Sequence, residues 1–391
     1  MINRCKVCKE NVTRVITEED IAENLQVTEI ISAVERMFVD FGEEMAATNT
    51  REDILSPQSV SGEDIDAKSH LLKTMGGVVP SLEVGAIRIN SNIVTWKTAE
   101  GKRTKNKIPG DSGKYTGLVM LFSTKTGELL SIFPDGIIQT YRVAATSAIA
   151  AKYLAIEDSN RIGILGTGPQ ARAHLLAFED IFEIESAKIY SPTPKNRETF
   201  VSSMRDETDM DLVATTTPEE VFQEVDIIQC ATNSLDPVFN MEWISEGTHV
   251  GVLNRKEPPT DFFQEGMFDV FVQSWPKIKV YEEIGTTVRE RKIPAKNINY
   301  YVVGDPAGIP EFSVDGMGES NQIKWDIIPS LHEAIVGNIK REKSEDRTAF
   351  YNRGFGAQFA AAGWALHQLA EKEEMGHIVP TQWFEQEIQG T

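Results

Sequence analysis

The chain has 391 residues, enough for two domains at ~100–200 residues each, and its 41% hydrophobic and 25% charged residues are ordinary for a soluble globular protein. Lys and Arg number 39 against 59 Asp and Glu, a formal net charge of -20 that repels phosphate backbones and argues against nucleic acid as a partner. Any anionic ligand must therefore be held by a local cluster of cations working against the global field.

Three cysteines, Cys5, Cys8 and Cys230, cannot build a disulfide framework. Cys5 and Cys8 have C-x-x-C spacing, but no second pair or His follows at a zinc-like distance, so no metal is expected. No apolar run reaches signal-peptide length at the start or the ~18 residues of a membrane span elsewhere, and a cytoplasmic protein without a membrane partner is expected.

In chain order, residues 18–44 predict a helix. Glu18, Glu19 and Asp20 crowd its first turn, and Ile30, Ile31, Val34, Phe38 and Phe41 follow at helical spacing. Residues 45–75 read as polar and irregular. From Val84 to Phe133 the runs AIRINSNIVTW, GLVMLFS and ELLSIF, punctuated by Gly101, Gly110, Gly113 and Gly127, predict a β-meander. Its insert GKRTKNKIPGDSGK carries Lys102, Arg103, Lys105 and Lys107, either a solvated loop or a greeting for an acidic substrate arm. Residues 139–156 predict an alanine-rich helix. Strand and helix signals then alternate from 161 to about 304, as a parallel sheet requires. After a Gly-rich loop, helices are predicted at 328–343 and 354–374.

The segment RIGILGTGPQARAHLLAF places Gly166, Gly168 and Ala171 in G-x-G-x-x-A order between a short apolar strand and an amphipathic helix. Gly166 allows the tight turn and Gly168 the approach of a pyrophosphate. Ala171 lets the helix pack close, and the helix N-terminus meets the anion. Thr167, Pro169 and Gln170 belong to the same loop, and Thr232 and Asn233 follow a later strand of the sheet. At the end of the second strand, where an acidic residue would hold the ribose hydroxyl of NAD, the chain has Ser191, with Thr193, Lys195 and Arg197 behind it. A hydroxyl and two cations suit a 2′-phosphate, so NADP is expected, with NAD as the alternative. The competing reading of Lys195 and Arg197 is solvated charge at a helix start.

The run DGIIQTYRVAATSAIAAKYLAIEDSNRIGILGTGPQARAHLLAF joins an R-x-A-A helix directly to a G-x-G-x-Q-A loop and resembles the ornithine cyclodeaminase/mu-crystallin family. TGLVMLFSTKTGELLSIF, WISEGTHVGVL and TAFYNRGFGAQFAAAGWAL extend the resemblance over nearly the whole chain. It implies an α/β fold, a Rossmann dinucleotide-binding domain at 141–325 beside a discontinuous α+β substrate and dimerisation domain formed by 1–140 and the C-terminal helices of 326–391. It also implies a homodimeric, NAD(P)-dependent enzyme of amino or imino acids.

The resemblance puts Arg142 at a carboxylate-binding position, a role that suits a guanidinium fork. Arg88 falls where many members carry a substrate-binding lysine, which keeps the charge but removes a titratable amine. Arg51 is a third carboxylate-binding candidate, with a structural role as its equal. Thr116, with Lys114 nearby, falls beside a substrate-side threonine, and Asn352 at the nicotinamide side. His174 and His249 read as structural. Where cyclodeaminases have a catalytic aspartate after the fifth strand, this chain has Asn254, Arg255, Lys256 and Glu257. Asn254 cannot take a proton and Lys256 begins as an acid, so the reading is an NAD(P)H-dependent oxidoreductase on a C–N bond, with Arg88, Asn254 and Lys256 at the reacting centre. The alternatives are a deaminating cyclodeaminase, restored if Glu257 reached the site, and a non-catalytic NADPH-binding protein.

Overall fold

Thr17 opens α1 (Glu18–Asn24) with a capping box shared with Asp20, and the chain turns extended at Leu25 before α2 (Thr28–Gly42). The single helix expected over 18–44 is therefore two, because burying Leu25 and Val27 in the break outweighs continuing the helix. The computed structural model describes residues 11–58, 67–99, 102–234, 236–284, 287–294, 298–303, 323–325 and 327–387. Cys5, Cys8, Gly101 and the Gly-rich loop at 304–320 lie outside the described residues, as do the side chains of Lys102, Arg103 and Lys105.

The helices follow β1 (Val12–Val15) and precede β2 (Ala47–Thr48), β3 (Arg51–Gln58), β4 (Ala67–Val79), β5 (Val84–Ala99), β6 (Lys102–Ile108), β7 (Thr116–Ser123) and β8 (Leu129–Pro134). Residues 45–75, expected to be irregular, thus hold two strands and most of a third. Their inward positions carry Arg51, Asp53 and Lys73 instead of an apolar row, which hides the alternation that marks a strand.

The chain continues as α3 (Gly136–Leu154), β9 (Arg161–Leu165), α4 (Pro169–Ile181), β10 (Ser186–Tyr190), α5 (Pro194–Met204), β11 (Asp211–Ala214), β12 (Ile227–Cys230), β13 (His249–Val252) and β14 (Val270–Gln273). Then come β15 (Lys277–Ile284), β16 (Thr287–Pro294), β17 (Ile298–Val302), α6 (Leu331–Ile335), β18 (Thr348–Tyr351), α7 (Gly356–Lys372) and β19 (His377–Pro380).

Two large sheets result. The first runs β17-β3-β4-β5-β7-β8-β1-β19, with β2 on β4 and β6 on β5. The second is parallel throughout, in the order β11-β10-β9-β12-β13-β18-β14. Its order reverses between β9 and β12, the crevice where doubly wound sheets bind ligands. β9, β12 and β13 are buried on both faces, as their near-continuous apolar runs require.

The expected boundary at 326 is crossed in both directions. β17 leaves the Rossmann stretch to pair with β3 of the first sheet, and β18 returns from beyond 326 to sit between β13 and β14. The helix expected over 328–343 shortens to α6, which stops at Val336 where Gly337 turns left-handed at φ +81°, and the chain reaches the sheet again only with the strand TAFY.

α3 packs against α4, α2 and α7 and joins the two sheets. α7 starts hard against β4: a Cβ at Gly77 would lie 2.2 Å from the backbone nitrogen of Ala357, and one at Gly356 2.0 Å from the Gly76 carbonyl. Only glycine at these crossings lets α7 lie flat on the face carrying Arg88.

Candidate functional site

The phosphate loop sits at the switch point. Gly166 has φ of +122°, and a Cβ there would lie 2.3 Å from the Ala231 carbonyl, so the turn after β9 is pressed against the end of β12. Gly168 is exposed, and a Cβ on it would meet nothing within 4 Å, an open cradle in front of the α4 N-terminus. Thr167 and Gln170 are half-buried, Pro169 opens α4, and the Gln170 side-chain oxygen is buried without a partner. An open glycine, a helix N-terminus and an orphaned polar atom at a switch point fit a dinucleotide.

Beyond the end of β10, Ser191 is buried and its carbonyl accepts from Arg197 Nη1 at 2.8 Å, while the guanidinium lies 5.7 Å from the centre of the Tyr190 ring. Arg197 is thereby fixed at the strand end, whereas Thr193 and Lys195 are exposed.

Behind the loop stands a buried network. Asn352 Nδ2 donates to the Val143 carbonyl and to Ser147 Oγ, both at 2.8 Å. Ser147 Oγ lies 3.1 Å from His174 Nε2, and His174 Nδ1 lies 2.7 Å from the Gln170 carbonyl. A carbonyl only accepts, so His174 carries its proton on Nδ1 and takes one from Ser147 on Nε2. Burial pushes His174 down to about 4 and keeps it neutral. Asn352 therefore ties α3 to β18 through its amide nitrogen, while its buried Oδ1 has no partner.

The departures after β13 are resolved in detail. Glu257 is fully buried and accepts from the backbone nitrogens of Thr232 (2.6 Å), Leu253 (2.8 Å) and Asn254 (2.8 Å) and from Thr232 Oγ1 (3.0 Å). Burial raises its pKa against those hydrogen bonds, and the carboxylate staples the ends of β12 and β13. The carboxylate that would have restored the cyclodeaminase reading is thus held by the backbone. Asn254 spends its side chain inside the loop, donating to the Ser234 carbonyl and accepting from the Lys256 nitrogen. Asn233 is exposed beside Thr232. Lys256 and Arg255 border a cavity of about 540 Å³ whose other walls include Phe263, Phe268 and Phe271. That cavity lies beyond the β13 end and shares no lining residue with the arginine site.

Arg88 and Arg142 come together from β5 and α3. Their guanidinium carbons lie 4.8 and 5.1 Å from the centre of one ring, Phe359 on α7. Arg88 Nε donates to Asp135 Oδ2 at 2.6 Å, its Nη2 to Gln139, and Asn90 Nδ2 shares the same carboxylate oxygen at 2.8 Å. Arg142 has no such carboxylate among the described residues. Its Nη1 donates to Gln358 Oε1 at 3.1 Å, its Nε is buried without a partner, and the guanidinium packs against Gly354. Burial, and then repulsion from Arg88, push Arg142 down to about 9, so it remains a cation at neutral pH. A buried cation lacking a counter-ion costs several kcal/mol, and an anionic ligand is what removes that cost.

Sequence reasoning missed four partners here: Asp135, Gln139, Gln358 and Phe359. Asp135, Gln139 and Arg142 stand at i, i+4 and i+7, so one side of α3 was readable as polar. Arg51 Nε is bound to Asp53 Oδ1 at 2.6 Å and its Nη2 to the other oxygen, which commits much of its fork to its own strand. Thr116 is not brought to the arginines. It is exposed and pairs with Ser91, so alternation puts it on the opposite sheet face, and Gly117 occupies the inward place beside Asp135. Lys114 is exposed near Glu18. His249 donates or accepts at Thr348 Oγ1 (2.8 Å) and is pushed down by burial to about 3, as a structural histidine. Among the described residues no His, Cys, Asp or Glu cluster could hold a metal, and no helix is long and apolar enough to cross a membrane.

Comparison with known proteins agrees with this architecture. The chain is 29% identical over 182 residues to the ketimine reductase mu-crystallin of Rattus norvegicus, covering 46% of this chain and 55% of that one. The chain thus spans about half the length of that relative. It is 27% identical over 281 residues to the alanine dehydrogenase of Archaeoglobus fulgidus, covering 71% and 78%. The Thermococcus litoralis Δ1-pyrroline-2-carboxylate reductase, solved with NADH and L-proline, superposes with a TM-score of 0.66 at 22% identity over 94% of this chain and 100% of that one, and so shares the fold. The model of the ornithine cyclodeaminase/mu-crystallin family matches residues 86–374, and the chain belongs to that family.

Proposed function

We propose that the protein is an NAD(P)H-dependent oxidoreductase acting on the C–N bond of an amino acid, imino acid or cyclic ketimine. The observation that carries this reading is the unpaired Arg142 beside Arg88, on a helix tied to the phosphate loop through Ser147 and His174. Arg142 receives the substrate carboxylate, and Arg88, itself paired with Asp135, adds a second charge-assisted contact. The Phe359 ring below both guanidiniums excludes water. Gly166–Gln170, Ser191, Thr193, Lys195, Arg197, Thr232, Asn233 and Asn352 provide the dinucleotide side, where the bound cofactor supplies or accepts a hydride. Arg197, fixed at the β10 end, favours the 2′-phosphate of NADP over NAD.

The names of the relatives, a ketimine reductase, an alanine dehydrogenase and a pyrroline-2-carboxylate reductase, support this class of reaction. The deaminating alternative is weakened by the burial of Glu257 against backbone donors. A non-catalytic NADPH carrier has no use for the unpaired Arg142. A cytoplasmic homodimer fits the reading. The first sheet's outer face exposes Ile54 and Leu118, each about 40% accessible, and a second copy would cover them.

The test is oxidation of NADPH or NADH against cyclic ketimine carboxylates and 2-oxo acid plus amine pairs, with ornithine and NAD⁺ alongside. Turnover with imines and no ammonia from ornithine is the expected result. Ammonia release from ornithine, or binding of NADPH with no turnover on the panel, overturns it.

A further inference from the structure

Reduction of an imine consumes a hydride and a proton, and none of the guanidiniums in the site gives up a proton readily. Arg88 stands where a titratable lysine was expected from the resemblance. We propose that Lys73 is the proton donor of the reaction, so that the amine missing from β5 is supplied by the neighbouring strand β4. This inference rests on the oxidoreductase reading and deepens it.

The register places Lys73. On β4 it pairs with Asn90 of β5 and Asp53 of β3, while Met75, two residues on, pairs with Arg88. Lys73 and Met75 therefore share the sheet face of Arg88, and the 3.7 Å contact from Arg88 Nη1 to Met75 Sδ confirms which face that is. The side chain is half-buried between β3 and β5, yet its amine makes no hydrogen bond or ion pair among the described residues. The charged groups acting on it are Arg51 and Asp53 on β3, Arg88 on β5 and Lys107 on β6. Asp53 is already bound by Arg51, and Asp135 by Arg88. Two cations in the cluster are thus left without a carboxylate of their own, Arg142 and Lys73. One carboxylate of the substrate answers the first, and the imine nitrogen answers the second.

Burial, and then Arg51, lower the ammonium from its usual 10.5 to about 7, against the pull of Asp53. An acid with a midpoint close to neutrality is suited to give its proton and regain it from water. In the step itself, the C=N π bond breaks as carbon gains the hydride of the reduced nicotinamide. The nitrogen electron pair takes the proton from Lys73 Nζ, leaving an amine product, an oxidised nicotinamide and a neutral lysine.

The experiment compares wild type with Lys73→Gln, Lys73→Arg and the double variant Lys73→Gln/Arg88→Lys, first confirming that each binds NADPH and so is folded. For wild type, kcat is expected to fall tenfold per pH unit above about 7. Both single variants are expected to lose ~10²-fold or more in kcat with KM changed little, and to lose that alkaline limb. The arginine variant separates charge from proton transfer, and the double variant is expected to recover activity by restoring an amine on β5. NMR of labelled lysine side chains gives a readout independent of turnover: one amine titrating near neutrality, absent in Lys73→Arg. Wild-type turnover with an unaltered kcat and pH profile in Lys73→Arg overturns the proposal while the oxidoreductase reading stands. Absence of imine turnover by wild type overturns both.

Discussion

The two sheets solve opposite problems. The Rossmann sheet is apolar along β9, β12 and β13, and its ligand features are backbone features: a positive φ at Gly166, an open Gly168, the α4 N-terminus. Its buried polar groups are neutral or fully answered, His174 by Ser147 and Gln170, Glu257 by four donors. The first sheet instead turns Arg51, Asp53, Lys73, Arg88 and Asn90 inward, and Lys73, like Arg142 of α3, is left short of a carboxylate among the described residues. One region recognises its ligand chiefly with main chain, and the buried polar atoms it leaves unanswered, Gln170 Oε1, Gln273 Oε1 and Asn352 Oδ1, are neutral. The other recognises with side chains and holds charge in reserve for a ligand.

Breaking the side-chain region should cost the most activity. Arg142→Met is expected to lower kcat/KM by ~10³-fold or more, since a desolvated charge pair contributes about 2–5 kcal/mol, while NADPH affinity stays within a few-fold. Steady-state kinetics with cofactor titration checks both halves. Asp135→Asn is expected to destabilise by about 3–5 kcal/mol, because Arg88 would be left buried and unpaired. Denaturant unfolding reads that loss.

The Rossmann region should respond to acid instead. His174 and His249 titrate near 4 and 3 when folded against 6.5 unfolded, so their stability is fully present above about 6.5 and lost as pH falls below it. For His174 alone the loss approaches about 3 kcal/mol by pH 4, and His174→Gln is expected to flatten the dependence of the denaturant midpoint on pH. The two glycines separate folding from binding: Gly166→Ala should lower stability, whereas Gly168→Val should leave the melting temperature alone and weaken the dinucleotide roughly tenfold or more. The smallest effect expected is that of Arg197→Met, roughly a tenfold drop in the ratio of NADPH to NADH affinity.

The same contrast explains what could be read in the sequence. A loop that works by backbone geometry must spell itself in glycine, so Gly166, Gly168 and Ala171 announced the switch point. The R-x-A-A helix announced Arg142. A sheet that buries charge spells nothing so plain: β3 and β4 passed for irregular chain because Asp53 and Lys73 stand where apolar residues would mark the period. Thr116 was misplaced because a strand turns its face with every residue, and a shift of one puts Gly117 in the site instead. β18 was overlooked because four residues of strand after a long excursion carry no local sign of the sheet they complete.

The central claim is that Arg142 waits uncompensated for a substrate carboxylate, and one measurement meets it directly. Wild type and Arg142→Met are each assayed with a cyclic imine bearing a carboxylate beside the C=N carbon and with the same ring lacking it. Wild type is expected to favour the carboxylate by ~10³-fold in kcat/KM, and the variant to lose nearly all of that preference. Equal preference in the two proteins would contradict the account and place the carboxylate elsewhere.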